Sequence, residues 1–347
     1  MTGNIHKNKG GAALLRLALP CLSAVLLTAG LSSCDKSAIY EYEGDCSTTY
    51  LVQFRYDYNM KYADAFAHEV ESVTLYLVDQ SGTIVWQKTE AGFALAEEGY
   101  AMTVDVDPGQ YSLLAWCGAK DNGSFIVPET NAATGLTCTL NCKYDSVGFP
   151  YVDGEVDRLY YGYLADQEFT NEEGTHVYTV ELVKDTNTIR TVLQHTSGEY
   201  VDKDKFTFSI EADNWAMAWD NSLIADEALT YYAFYTDQGE AEIDTKAAAR
   251  GTFSAAIAEF TIGRMVPGRS VRLTVINNET GETVFSIPLI DIAVMVKGYY
   301  NQDMSDAEYL DRQDEYDLVF FLDEGDRWVS TYIYINSWKI VLQDIEL

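Results

Sequence analysis

The sequence predicts an all-β protein built as two β-sandwich domains in tandem. Three observations carry that prediction: strict alternation of apolar and polar residues, turn residues at regular intervals, and a near-absence of helical periodicity. At 347 residues the chain has room for two domains of ordinary size. A composition that is 47% hydrophobic and 13% aromatic supplies material for two packed cores and argues against disorder.

The strands can be taken in order. Tyr50, Val52, Phe54, Tyr56 and Tyr58 alternate with Gln53, Arg55 and Asp57, which predicts a half-buried strand. Residues 70–78 form the next, closed by a turn at Asp79-Gln80-Ser81-Gly82 and returning through Thr83–Trp86. Tyr100–Val106 leads into Asp107-Pro108-Gly109, where Pro fixes φ and Gly permits the left-handed corner, and Tyr111–Cys117 resumes the sheet. Glu259–Met265, Pro267-Gly268-Arg269 and Ser270–Ile276 repeat that strand–turn–strand unit. The two Pro-Gly turns lie 159 residues apart, one domain length.

Between these units, Thr175–Val183 and Ile189–Gln194 are strand-like, and the polar run Lys184-Asp185-Thr186-Asn187-Thr188 predicts the domain break. The domains expected are 46–185 and 186–347. The C-terminus reads as a meander: Tyr316–Leu322, a turn at Asp323–Asp326, Trp328–Ile335, Asn336-Ser337, then Trp338–Leu342. Helix is expected at Ser305–Arg312, opened by the capping box Ser305-x-x-Glu308, and for a turn or two within Met60–His68.

The first 33 residues have the three parts of an export signal. Lys7, Lys9 and Arg16 form a basic start, Leu17–Leu27 is apolar apart from Pro20 and Ser23, and Thr28-Ala29-Gly30 follows. That run is shorter than the roughly 20 residues a membrane-spanning helix needs. Leu31-Ser32-Ser33-Cys34 resembles a bacterial lipobox, in which small residues admit the backbone to the signal peptidase and the thiol takes diacylglycerol. Cys34 is the expected lipid attachment site, with residues 34–45 a short tether. Cys21, preceded by Pro20 within the apolar run, is a poor alternative.

Charge narrows the function. The chain carries 23 Lys+Arg against 54 Asp+Glu, a net charge of −31, and removal of residues 1–33 leaves −34. Nucleic acid needs a basic footprint, and there is none. A polybasic membrane patch is absent too, so membrane association is expected through covalent lipid. No calcium loop, zinc spacing, P-loop, H-E-x-x-H or G-x-S-x-G pattern is present, so neither metal, cofactor nor catalytic residue is expected. His68, His176 and His195 stand alone. Asp153 with Glu155, or Asp303 with Asp306, is a carboxylate pair of the sort that any highly acidic chain contains.

An oxidising compartment permits disulfides. Among Cys46, Cys117, Cys138 and Cys142, three pairings are open, and Cys138 and Cys142 are too far apart to bridge on one extended strand. Cys46 with Cys117 is the favoured pair. Paired tyrosines at Tyr160-Tyr161, Tyr231-Tyr232 and Tyr299-Tyr300, with Trp215 and Trp219, suggest an alternative function: a surface glycan-binding lipoprotein that uses exposed aromatics. A hydrolase with scattered carboxylates is a third, weaker option.

Several runs together resemble the FimB family of fimbrial anchor lipoproteins. They are Asp45-Cys46, the strand Val52–Tyr56, the run Asp57-Tyr58-Asn59-Met60-Lys61-Tyr62-Ala63-Asp64-Ala65-Phe66, and Glu69-Val70-x-x-Val73-x-Leu75-Tyr76. Later come Pro108–Tyr111 leading to Ala115-Trp116, then Asp157–Gly162, and the strands around Trp338. The Asp57–Phe66 run is the most specific of them. The resemblance implies two transthyretin-like Greek-key sandwiches in a lipid-tethered subunit. It would attach a fimbrium base to the outer membrane, limit filament length and bind a shaft or accessory pilin by strand pairing. Shaft subunits of the related class lose an N-terminal strand to a trypsin-like protease, and an anchor keeps it. Between Cys34 and Arg55 the only basic residue is Lys36, and Arg55 lies inside a predicted core strand. The acidic tether (Asp35, Glu41, Glu43, Asp45) resembles surface-export signals, which places the expected location at the cell surface.

Overall fold

The computed structural model describes residues 47–225, 227–243, 251–297 and 301–341. The signal region, Cys34, the tether and Cys46 lie outside them, as do Tyr299 and Tyr300.

The first half runs β1 (Thr48–Arg55), α1 (Phe66–Glu69), β2 (Ser72–Asp79), β3 (Ile84–Ala91), β4 (Ala101–Val104) and β5 (Gly109–Cys117). Four short strands follow: β6 (Phe125–Ile126), β7 (Thr137–Leu140), β8 (Lys143–Tyr144) and β9 (Pro150–Val152). Two long ones, β10 (Tyr160–Phe169) and β11 (Gly174–Lys184), complete it. The second half begins with β12 (Thr186–His195), β13 (Phe206–Ala212), β14 (Ala216–Ala218), β15 (Leu229–Tyr232) and β16 (Tyr235–Ile243). Then come β17 (Gly251–Gly263), β18 (Val271–Asn277), β19 (Thr283–Pro288), α2 (Leu289–Met295) and α3 (Asp306–Arg312). The chain closes with β20 (Glu315–Leu322), β21 (Tyr332–Ile335) and β22 (Trp338–Val341).

Alternation sets the faces. In β1, Tyr50, Val52 and Phe54 are buried while Arg55 is exposed. The two halves repeat one pairing scheme. In the first, β1 lies parallel to the late strand β11 and antiparallel to β4, while β2 pairs with β3 and β5, and β5 with β10. In the second, β12 lies parallel to β20 and antiparallel to β17, while β13 pairs with β15 and β18, and β18 with β19. The Pro-Gly turns occupy equivalent corners of this scheme, β4 to β5 and β17 to β18. The recurrence seen in sequence is therefore a repeat of topology, and the fold is two tandem β-sandwiches.

Two hydrophobic clusters form the cores. One, around Val52, Leu75, Leu113 and Val180, fills the first sandwich. The larger one fills the second and takes in Tyr76, Leu114, Trp116 and Tyr161 from the outer face of the first sandwich. From Ser47 onward the chain is one compact unit. The segment holding β6–β9 crosses over: β9 pairs parallel with β15, and β7 antiparallel with β14. Thus strands from before residue 185 complete sheets in the second half.

Some elements differ from expectation. The apolar run Leu289–Met295 forms α2, with Leu289, Ile290, Ile292 and Ala293 buried. Trp328 makes an isolated bridge to Leu322 and leaves β21 shorter than expected, because its ring packs on Phe285 and Phe320 (centroids 5.3 and 6.1 Å). The capping box holds, with Ser305 Oγ accepting from the Glu308 amide at 3.1 Å.

Candidate functional site: the joint between the sandwiches

The Asp57–Phe66 run is a tightly organised loop. Asn59 Nδ2 donates to the Tyr56 and Ala63 carbonyls (3.0 and 2.8 Å), and its Oδ1 accepts from the Lys61 amide at 3.0 Å. Asp64 Oδ1 accepts from the Tyr56 and Phe66 amides (2.9 and 3.0 Å), and Tyr62 takes a left-handed φ of 52°. So shaped, the loop docks on the second half. The Met60 amide donates to the Arg312 carbonyl at 3.2 Å, and the Arg312 guanidinium lies over the Tyr58 and Tyr62 rings at 4.0 and 4.8 Å.

The polar run expected as the domain break is buried. Asp185 has no exposed surface, and Lys184, Thr186 and Asn187 are buried with it. A buried polar group is costly unless paired, and each of these has distant partners. Lys184 Nζ meets Glu69 Oε2 at 3.3 Å and also pairs with Asp314, while the Tyr160 hydroxyl donates to Glu69 at 2.8 Å. Burial works against ionisation of Glu69, but Lys184 and the Tyr160 hydrogen bond outweigh it and hold the carboxyl below its usual range. Arg264 forks onto Asp311 (2.8 and 2.9 Å) and stands 3.8 Å from Asp185. Asn221 Nδ2 donates to Asp185 Oδ1 at 2.9 Å, while Asp185 Oδ2 has no hydrogen-bond partner among the described residues. Burial therefore pushes Asp185 up to about 7, against the pull of Arg264 and Asn221, and raises Asp311 too.

Of the expected Cys46–Cys117 pair, Cys46 lies outside the described residues. Cys117 is a free, fully buried thiol that sits opposite Tyr160, at one end of β10. The start of β1 lies at the other end, where the Tyr50 hydroxyl donates to the Thr170 carbonyl at 2.7 Å. Cys138 and Cys142 are free thiols as well, the first buried.

The remaining candidates are not brought together. Tyr160 and Tyr161 are both buried, facing different cores, and the Tyr161 hydroxyl donates to the Trp219 carbonyl at 2.9 Å. Tyr231 is buried and Tyr232 exposed. Trp215 and Trp219 are half-buried, with Trp215 Nε1 donating to the Glu227 carbonyl at 2.9 Å. His195 Nε2 lies 3.1 Å from Asp326, His176 Nε2 lies 2.9 Å from the Glu172 carbonyl, and His68 is exposed. Asp153 pairs with Lys143, and Asp306 with Lys297. No group of three His, Cys, Asp or Glu among the described residues could hold a metal. No helix among them is long and apolar enough to cross a membrane.

A protein-family model, that of the fimbrillin-A-associated anchor proteins Mfa1 and Mfa2, matches residues 42–344. The chain belongs to this family. Its fold is also that of solved structures. A protein from Bacteroides thetaiotaomicron assigned as an adhesin is 33% identical, with a TM-score of 0.75, covering 84% of this chain and 97% of that one. A second from the same organism, assigned to polysaccharide binding, is 30% identical with a TM-score of 0.74, covering 86% and 99%. The fimbrial anchor protein Mfa2 from Porphyromonas gingivalis is 16% identical with a TM-score of 0.62, covering 86% and 100%. No curated protein sequence matches. The match spans the Asp57–Phe66 run, whose residues build the joint between the sandwiches.

Proposed function

We propose that this protein is the lipid-tethered anchor subunit of a fimbrium, attached to the outer membrane through Cys34, holding the filament base at the cell surface and limiting its length. The family is one of structural fimbrial anchor proteins, and the match across residues 42–344 carries the proposal. The lipobox-like Leu31–Cys34 supports the tether. The state of β1 supports the anchor role: it is paired on both edges, by β11 and by β4, and Arg55 at its end is held in the ladder opposite Glu181. A shaft or accessory pilin would add a strand to an open sheet edge. Among the described residues the edge strands are β3 and β4, β16 and β22, β19 and β8, and β14 and β6.

The test is a Cys34→Ala chain in the native host, counting fimbriae on cells and in the medium. Filaments and protein released together establish the tethered anchor. Protein released while fimbriae stay attached, at unchanged length, overturns it. A second reading, capture of surface glycans, is favoured by the 30%-identical relative assigned to polysaccharide binding.

A further inference from the structure

The sheet ordered β16-β17-β12-β20-β21-β22 covers the second core with one face and leaves the other open. On that open face the register lines up Asp237, Ile257, Val192, Val319 and Tyr334 across successive strands. The next row up is small at one end and aromatic at the other: Gly239, Ala255, Gln194, Phe321. The row below is charged: Glu259, Arg190, Asp317. Because Gly239 and Ala255 offer almost no side chain, the surface dips there into a groove of about 590 Å³ that runs across the strands.

Three features of the groove point to its occupant. Its floor is aliphatic (Val192, Ile257, Val319), and it is walled by Tyr334, whose ring is steadied edge-on by Phe321 and Tyr332 at 5.9 and 6.0 Å. Along it stand the Gln194 amide, the Asp317 carboxylate and the Ser337 hydroxyl, whose side chains make no hydrogen bond or ion pair among the described residues, whereas Arg190 is paired with Glu259 at 3.4 Å. The strands beneath, β17, β12 and β20, are hydrogen-bonded on both edges, so an occupant cannot join the sheet and must be recognised by side chains alone.

We propose that this groove binds a neutral oligosaccharide. A sugar ring is itself two-sided, with apolar C–H faces and a hydroxyl rim, and it would lie on Tyr334 and the aliphatic floor while its hydroxyls meet Gln194, Asp317 and Ser337. Neutrality follows from charge: among the described residues Arg190 is the cation lining the groove and is already paired, Lys339 opposite Tyr334 lies over the Tyr332 ring, Asp317 is unpaired, and the whole chain stands at −31, so an acidic glycan is repelled. The proposal rests on the glycan reading above, not on the anchor role.

Calorimetric titration of the full chain with maltotetraose, cellotetraose and mannotetraose tests it, alongside Tyr334→Ala and the milder surface change Asp317→Ala. The expected result is saturable binding of at least one sugar, weakened about tenfold or more in each variant, with the Asp317→Ala melting temperature unchanged. Binding that survives both substitutions moves the site elsewhere and refutes the groove while sparing the glycan reading. Absence of saturable binding to all three refutes both, and leaves the anchor role standing.

Discussion

Asp185 offers a sharp test of how the two sandwiches are joined. Its carboxyl is fully buried, one of its oxygens has no hydrogen-bond partner among the described residues, and the nearby cation Arg264 is already forked onto Asp311. The fold thus favours the protonated form, and burial moves the carboxyl from the ordinary 3.8 to about 7. Across that window the folded chain holds a proton that the unfolded chain has released, so stability falls as pH rises from about 4 and levels off above about 7. A shift of that size corresponds to roughly 4 kcal/mol, an upper figure because Arg264 reorganises as the charge appears. Asp185→Asn keeps the shape and the acceptor for Asn221 but removes the titration. Urea denaturation at pH 5 and pH 8 should show the variant gaining on the natural chain by a few kcal/mol as pH rises. Asp311 is raised by burial as well, so the difference between the two chains, not either profile alone, isolates Asp185. A difference that is flat, or that favours the natural chain more at pH 8, would show that attraction to Arg264 outweighs desolvation and would refute the argument.

Other consequences are simpler to check. Gly118 has φ of 95°, and a Cβ there would sit 1.9 Å from the Arg158 carbonyl oxygen, so Gly118→Ala should cost more than about 2–3 kcal/mol, read as a lowered melting temperature. Arg312→Ala removes the cation over Tyr58 and Tyr62 and should cost about 1–2 kcal/mol, with trypsin cleaving faster after Lys61 in the loosened loop. Burial raises the Cys117 and Cys138 thiols, so a thiol reagent should spare both in the native chain while reaching the half-exposed Cys142. Peptide mapping that found native Cys117 labelled as fast as Cys142 would refute the burial argument.

Local patterns in the sequence announced local structure well. Alternation marked β1 and β4, the Pro108-Gly109 turn marked the entry to β5, and the side chains of Ser305 and Glu308 marked the start of α3. What escaped was set by partners far along the chain. Lys184–Asn187 looks like a linker because polar residues usually seek water, yet Lys184 finds Glu69 and Asp314, which lie 115 and 130 residues away. Tyr160-Tyr161 reads as one ring in and one ring out, but the outward face of β10 is covered by the second sandwich, so both are buried. Leu289–Met295 is an apolar run whose helical form depends on packing beside β18 and β19. The crossing of β6–β9 into the second half leaves no mark on its own residues, since β15 lies far downstream. The groove is equally hidden: Val192, Ile257, Val319 and Tyr334 come together only through the register of four strands.

The way β1 is seated bears on mechanics. Under the proposed lipid tether at Cys34, the case to consider is tension along β1, the first strand of the described residues. An eight-residue parallel ladder with β11 resists on one side, and the antiparallel pairs with β4 resist on the other. Tension in that direction loads those hydrogen bonds in shear, all together, instead of peeling them apart singly. Each contributes only about 1 kcal/mol at equilibrium, yet their simultaneous rupture sets a high barrier, so endurance under drag is governed by an unfolding rate more than by net stability. A tugged filament base would fail slowly even if the domain were only modestly stable at rest.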